Sequence, residues 1–191
     1  MSNTVNNQEI SLMAKLLEQA KTILYPTDTV WGIGCDATNE QAVSKIYQIK
    51  QRAESKSLII LVDSKKMLQN YVQKIPAKAL EFLESSTRPT TIIYKNPQNL
   101  AKNVIASDDT IAIRIVQDGF CKELIQKFGK PIVSTSANVS GEATPNSFSE
   151  ISRTILESVD YIVNLQLEHQ CDTPSRILRI TDLGTIEVIR E

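Results

Sequence analysis

Three stretches of this 191-residue chain combine residue types that could do chemistry. The first is Tyr25-Pro26-Thr27-Asp28-Thr29-Val30-Trp31-Gly32, which sets hydroxyls and a carboxylate between two apolar runs. Thr and Asp also cap chain reversals, so a turn is the simpler account, and the spacing selects no ligand. The second is Lys50-Gln51-Arg52, followed by Lys56. On a continuous helix, residues two apart point away from each other. If the helix stops near Lys50, an extended segment can aim both cations at one anion. Charge alone is explained more simply by a solvated helix C-terminus, where the macrodipole favours cations. The third is Ser134-Thr135-Ser136-Ala137-Asn138-Val139-Ser140-Gly141. Its hydroxyls, amide and exposed backbone N–H groups suit a phosphate or a carboxylate. It leaves the carboxyl end of an expected strand, where α/β folds generally bind ligands. A plain polar loop accounts for the composition equally well.

Several chemistries are excluded or disfavoured. No G-x-x-x-x-G-K-[ST] run occurs, which removes P-loop chemistry. A single histidine, His169, argues against a His-based zinc site or a His-driven triad. Cys35, Cys121 and Cys171 form no C-x-x-C pair, and no signal-peptide pattern opens the sequence. Reduced thiols in a cytoplasmic protein are expected. No apolar run approaches the ~20 residues that span a bilayer. Lys plus Arg number 21 against 22 Asp plus Glu, a net charge of −1, so no global basic surplus drives unspecific nucleic-acid binding. A local basic patch stays open.

The elements that must position these stretches follow from periodicity. Residues 1–7 are polar and are expected to be disordered, leaving 8–191 as one catalytic-size domain. Ile10, Met13, Leu16, Leu17 and Ala20 recur at helical spacing and predict a helix over 8–20. Strands are expected at 22–25 and 31–35, the latter with Gly32 and Gly34 for close backbone approach. A helix marked by Ala42, Ile46 and Ile49 should end near Lys50. The aliphatic run 58–62 reads as a strand buried on both faces. Helices at 65–71 and 76–84 precede strands at 90–94, 111–116 and 131–135, with a helix over 119–128 closed by Gly129. A helix over 148–156, a strand at 160–163 and a terminal hairpin of 176–180 with 186–190 complete the chain. Interleaved helices and strands predict one α/β domain on a twisted mixed β-sheet with flanking helices; periodicity leaves the strand order open.

In order along the chain, the three stretches resemble the YrdC-type threonylcarbamoyl-AMP synthase family, in its single-domain form without the extra C-terminal domain of longer relatives. Ile111-Ala112-Ile113-Arg114, Pro174-Ser175 and Val188-Ile189-Arg190 extend the resemblance from about Ile23 to Arg190. It implies a YrdC-like fold and an ATP-dependent nucleotidyltransferase. N-carboxylated L-threonine, formed from threonine and bicarbonate, attacks the α-phosphate of ATP, giving threonylcarbamoyl-AMP and pyrophosphate. A separate threonylcarbamoyl transferase then modifies adenosine 37 of tRNA. The resemblance further implies a catalytic set of Lys50, Arg52, Ser136 and Asn138. ATP contacts would come from Arg52, Lys56, Thr110, Ser136, Thr144 and Arg190, and threonine contacts from Thr29, Arg114, Ser134 and Ser175. Mg²⁺ would arrive with ATP, held by phosphate oxygens and water and leaving no protein metal site; Asp28 is placed at most in its outer shell. Ala53 and Ser57 stand where prolines are common, Ser86-Thr87-Arg88-Pro89-Thr90-Thr91 departs from the usual Trp-Pro-Gly-Pro-x-Thr, and Arg176 replaces a common threonine. These changes touch loop rigidity more than the charged ligands. The main alternative is a non-catalytic module binding double-stranded RNA or tRNA on the same fold; the other is a carbamoyl-transfer domain like that of hydrogenase-maturation proteins. A mobile loop over 168–174, closing on bound substrates, is also expected.

Overall fold

The computed structural model describes residues 2–53, 58–117, 119–165, 167–168, 174–181 and 184–191. Lys56, His169, Cys171 and most of the expected mobile loop lie outside the described residues. The strands are β1 (Ile23–Tyr25), β2 (Gly32–Gly34), β3 (Ile59–Val62), β4 (Thr90–Lys95), β5 (Thr110–Ile115), β6 (Ile132–Ser136), β7 (Tyr161–Ile162), β8 (Arg176–Ile180) and β9 (Ile186–Arg190). They form one twisted mixed sheet in the order β7-β1-β2-β6-β3-β5-β4-β8-β9. The helices are α1 (Ser2–Glu18), α2 (Glu40–Ile49), α3 (Lys65–Leu68), α4 (Ala77–Ser85), α5 (Gly119–Phe128) and α6 (Arg153–Ser158). None of the described helices is long and apolar enough to cross a membrane.

The continuous aliphatic run of β3 is explained by cover on both faces. Ile60 and Val62 join Ile33, Ile92, Ile113 and Val133 against Ala42, Val43 and Ile46 of α2. Leu61 points the other way, with Ile23, Tyr25 and Ile132, under Met13 and Leu17 of α1 and Leu124 and Ile125 of α5. That second face is divided. Its Leu61–Ile132 end is roofed by α1 and α5, while Ile59, Ala112 and Ser134 farther along line a cavity.

Register decides what that open area displays. One row across the sheet pairs Ser134 with Ile59, Ile59 with Ala112 and Ala112 with Ile93. The next pairs Arg114 with Thr91, Thr91 with Ile177 and Ile177 with Arg190. Hydroxyls from β6 and arginines from β5 and β9, far apart in sequence, are thereby brought over one floor.

Two expectations need correction. The first helix runs over Ser2–Glu18 rather than starting at Gln8. The helix expected over 148–156 is broken. Phe148–Glu150 is a 3-10 turn, Ile151 and Ser152 are extended (ψ 127 and 148), and α6 starts after Ser152, whose hydroxyl makes no cap hydrogen bond. A further 3-10 turn at Lys102–Val104 carried no periodic signal.

Candidate active site

The Tyr25–Gly32 stretch is a turn and a wall of the cavity at once. The backbone N–H groups of Thr29 and Val30 both donate to Thr27 Oγ1 at 3.1 Å, and the Thr27 hydroxyl donates to the Val30 carbonyl at 2.6 Å. This knot delivers Thr29 and Val30 to the cavity. A Cβ on Gly32 would lie 3.1 Å from Ser134 Oγ and 3.3 Å from Thr27 Cγ2, so the glycine leaves room for the Ser134 hydroxyl. Asp28 accepts an ion-paired hydrogen bond from Arg114 Nη1, while the buried Arg114 Nε has no partner.

The end of α2 separates Lys50 from Arg52. The N–H of Arg52 reaches back to the Tyr47 carbonyl (2.9 Å) and that of Gln51 to the Gln48 carbonyl (3.0 Å), with Gln51 at φ 49. This is a Schellman turn with glutamine in the left-handed position glycine usually takes. The helix stops where the alternative to a solvated terminus required, but the two cations part company. Arg52 lines the cavity. Lys50 is turned inward and only 2% exposed. Its ammonium donates to the carbonyls of Ser136 (2.6 Å) and Asn138 (2.7 Å) and to Asn138 Oδ1 (3.4 Å).

Asn138 is equally occupied. Its Oδ1 also accepts from the Ser136 hydroxyl (2.5 Å), and its Nδ2 donates to the carbonyls of Glu142 (2.7 Å) and Val139 (3.2 Å). On the opposite rim, β9 carries a bulge. Arg190 faces Ile177 and Val188 faces Leu178, leaving Ile189 as the extra residue. A bulge re-aims neighbouring side chains, which explains how the consecutive residues Ile189 and Arg190 both reach the cavity. Arg190 is no frayed terminus: Nε and Nη2 donate to the Ser175 carbonyl at 3.1 and 2.7 Å. Ser175 Oγ in turn lies 2.9 Å from Thr91 Oγ1.

The result is a cavity of about 320 Å³ with two characters. Thr29, Ser134, Ser136, Thr144 and Arg52 form a hydroxylic, cationic side, and Ile93, Ile177 and Ile189 an apolar one, with Arg114, Ser175 and Arg190 completing the wall. It lies over the open part of a sheet face rather than beyond the strand ends. Of the residues expected at a site, Thr29, Arg52, Arg114, Ser134, Ser136, Thr144, Ser175 and Arg190 line it. Lys50 and Asn138 stand outside its lining. Thr110 is on β5 two residues before Ala112, with its hydroxyl donating to Asp108 at 2.6 Å. Sequence reasoning missed Thr91 and the isoleucines of the apolar side. Ile93 is readable once its pairing with Ala112 is known, whereas the bulge that turns Ile189 inward has no local signal. A larger hollow of about 740 Å³ near Lys74, Lys78, Lys95 and Glu81 contains none of the expected residues.

Electrostatics favour anions here and disfavour a protein nucleophile. Burial, with help from the Arg52 charge and against that of Glu142, lowers Lys50 to about 8. Burial and the Arg114 charge lower Arg190. Burial, reinforced by Asp28, pushes the Cys121 thiol up to about 12, and burial holds the Tyr25 phenol well above its ordinary value. Both stay protonated at neutral pH and are poor nucleophiles.

The family sequence model Sua5_yciO_yrdC, described as "Telomere recombination", matches residues 15–191. A threonylcarbamoyl-AMP synthase of Pseudoalteromonas translucida is 40% identical over 151 residues, covering 78% of this chain and 81% of its own. A putative threonylcarbamoyl-AMP synthase of Methanocaldococcus jannaschii is 34% identical over 182 residues, covering 94% and 84%. Among solved structures, P. abyssi Sua5 complexed with L-threonine superposes with a TM-score of 0.84 at 25% identity, over 95% of this chain. The chain spans 53% of that protein's length. E. coli YciO, at 23% identity and a TM-score of 0.81, shares the fold.

Proposed function

The chain belongs to the Sua5/YciO/YrdC family, and from that premise we propose that it is a threonylcarbamoyl-AMP synthase, a nucleotidyltransferase acting on ATP, L-threonine and bicarbonate. The observation that carries this reading is the convergence of Arg52, Arg114 and Arg190 with six hydroxyl residues in one cavity whose buried thiol and phenol neighbours are held neutral. Attack of a threonine carbamate on an α-phosphate uses a nucleophile that is already an anion. The reaction asks the protein for placement and positive charge, not for a covalent intermediate.

In this reading Arg52 and Arg190, with Lys56 beyond the described residues, neutralise the triphosphate, and Ser136 and Thr144 hold phosphate oxygens. Arg114 receives the threonine carboxylate, with Thr29, Ser134 and Ser175 around the amino acid. Thr110 joins only if the nucleotide extends along β5 past Ala112. The carbamate oxygen bonds to the α-phosphorus as the bond to pyrophosphate breaks. Mg²⁺ enters with ATP as part of the substrate. Asp28 is already engaged by Arg114. The product is a mixed anhydride, so a transferase must consume it, and we assign the protein to the cytoplasm with its tRNA-modifying partner. The RNA-module alternative does not explain why the arginines converge inside a cavity of about 320 Å³ rather than along an open surface.

The test is mass detection of threonylcarbamoyl-AMP from ATP, threonine, bicarbonate and Mg²⁺. Product that requires all four supports the reading; equal pyrophosphate release without threonine overturns it.

A further inference from the structure

The third stretch reaches the cavity through only part of its length. Ser134, Thr135 and Ser136 line the wall, as does Thr144 just beyond the stretch, while Asn138 between them is tied to Lys50. Lys50 has three N–H donors, and three oxygens meet them: the Ser136 carbonyl, the Asn138 carbonyl and Asn138 Oδ1. Asn138 spends its Oδ1 on Lys50 and Ser136 and its Nδ2 on the carbonyls of Val139 and Glu142. The Lys50 carbonyl, at the helix end, accepts from the Ser140 N–H at 2.8 Å. Neither side chain keeps a donor for a phosphate.

We propose that Lys50 and Asn138 are positioning residues, a buried bracket that fixes the 136–144 loop so that Ser136 and Thr144 meet the substrate, rather than groups that touch it. The proposal rests on the synthase reading only for what the loop is presented to; the bracket itself is a property of the free protein. A cation focused on three oxygens inside a protein interacts strongly with each. It anchors the loop to the end of α2, and the Schellman turn at Gln51 sends Arg52 to the cavity from the same point. One helix terminus therefore sets both the loop and a cavity arginine. Two charged groups face Lys50, Arg52 opposing its charge and Glu142 supporting it. Deprotonation would leave two N–H donors for three acceptors.

The experiment has an arm independent of the reaction. In the substrate-free protein, Lys50→Met should speed amide exchange of Ser140 and Glu142 at least tenfold, with amides of α5 unchanged. Asn138→Asp, which keeps an oxygen for Lys50 and loses the Nδ2 donor, should do the same at Glu142 and serves if Lys50→Met does not fold. Unchanged exchange at these amides in a folded variant overturns the bracket. In the activity arm, the Lys50→Met/Ser136→Ala double variant should lose no more kcat/KM than the worse single variant, because Lys50 acts through Ser136. Wild-type kcat/KM should fall above about pH 8, and Lys50→Met should lack that limb. Multiplicative losses would show direct contact and overturn the proposal; a retained limb would show that the loop does not depend on the charge of Lys50 and overturn it as well. A wild type without product refutes the synthase reading alone, since the exchange arm still stands.

Discussion

Arg52 and Asp28 both belong to the cavity region, and replacing them should have opposite signatures. Arg52 is half-buried on the cavity wall. A charge-assisted hydrogen bond to phosphate is worth about 1.5–3 kcal/mol. Arg52→Ala should therefore lower turnover at least tenfold in a protein that still unfolds cooperatively in urea. Near-normal turnover would return Arg52 to an ordinary helix-end charge. Asp28 is different, because its partner's side chain is 4% exposed while its own retains 24%. Removing one member of a buried ion pair costs about 3–5 kcal/mol, and partial exposure reduces that to about 2–3. Asp28→Asn should lower stability by that amount, measured by urea unfolding at neutral pH. A loss below about 0.5 kcal/mol would mean that Arg114 is satisfied elsewhere.

The elements that deliver these residues differ in how legible they were. The bounds of α5, β8 and β9 follow from periodicity and Gly129, and the end of α2 near Lys50 from the fading of its apolar stripe. Of the twelve candidate residues, whose order along the chain carries the resemblance, eight line one cavity. What they do there was not legible, because contact and support look alike in a motif. Lys50 and Arg52 share one tripeptide, yet the turn between them sends one inward and the other outward. That turn uses Gln51 at φ 49, where nothing in the sequence announces a left-handed residue. The bulge at Ile189 was hidden because it is settled by pairing against β8 rather than by its local sequence. The glutamine gives a direct check. A non-glycine residue in this conformation costs about 1 kcal/mol, part of which glycine returns through unfolded-state entropy. Gln51→Gly should stabilise the protein by up to about 1 kcal/mol in urea unfolding. A loss of more than 1 kcal/mol would show that the Gln51 side chain outweighs its backbone strain.

For the whole molecule, the groups buried to build the site and its surroundings shape the pH dependence of stability. On the acid side, burial raises Asp160, but the Thr22 N–H and hydroxyl with Lys21 and Lys45 outweigh it and leave it lowered. Its contribution is present above the unfolded value of 3.8 and is lost as pH falls through the lower folded value. On the alkaline side two effects oppose each other. Lys50 is lowered from 10.5 to about 8, so between those values the unfolded chain binds the extra proton and folding is favoured by rising pH. Cys35, Cys121, Tyr25 and Tyr94 are all raised from 9.0 or 10.0 by burial, so above about pH 9 the unfolded chain loses protons that the folded one keeps. Four such groups outnumber one lysine, and total stability should fall above pH 9. The lysine is isolated by difference. Urea unfolding of wild type and Lys50→Met across pH 7–10.5 shares the thiols and phenols, so subtracting the two leaves Lys50. The wild type should gain on the variant as pH rises from about 8 to 10.5, with no change in the difference below that window. A flat difference would mean that Lys50 titrates alike in both states and that its three oxygen partners fully offset its burial. A difference of the opposite slope would mean that the bracket raises the lysine above its ordinary value.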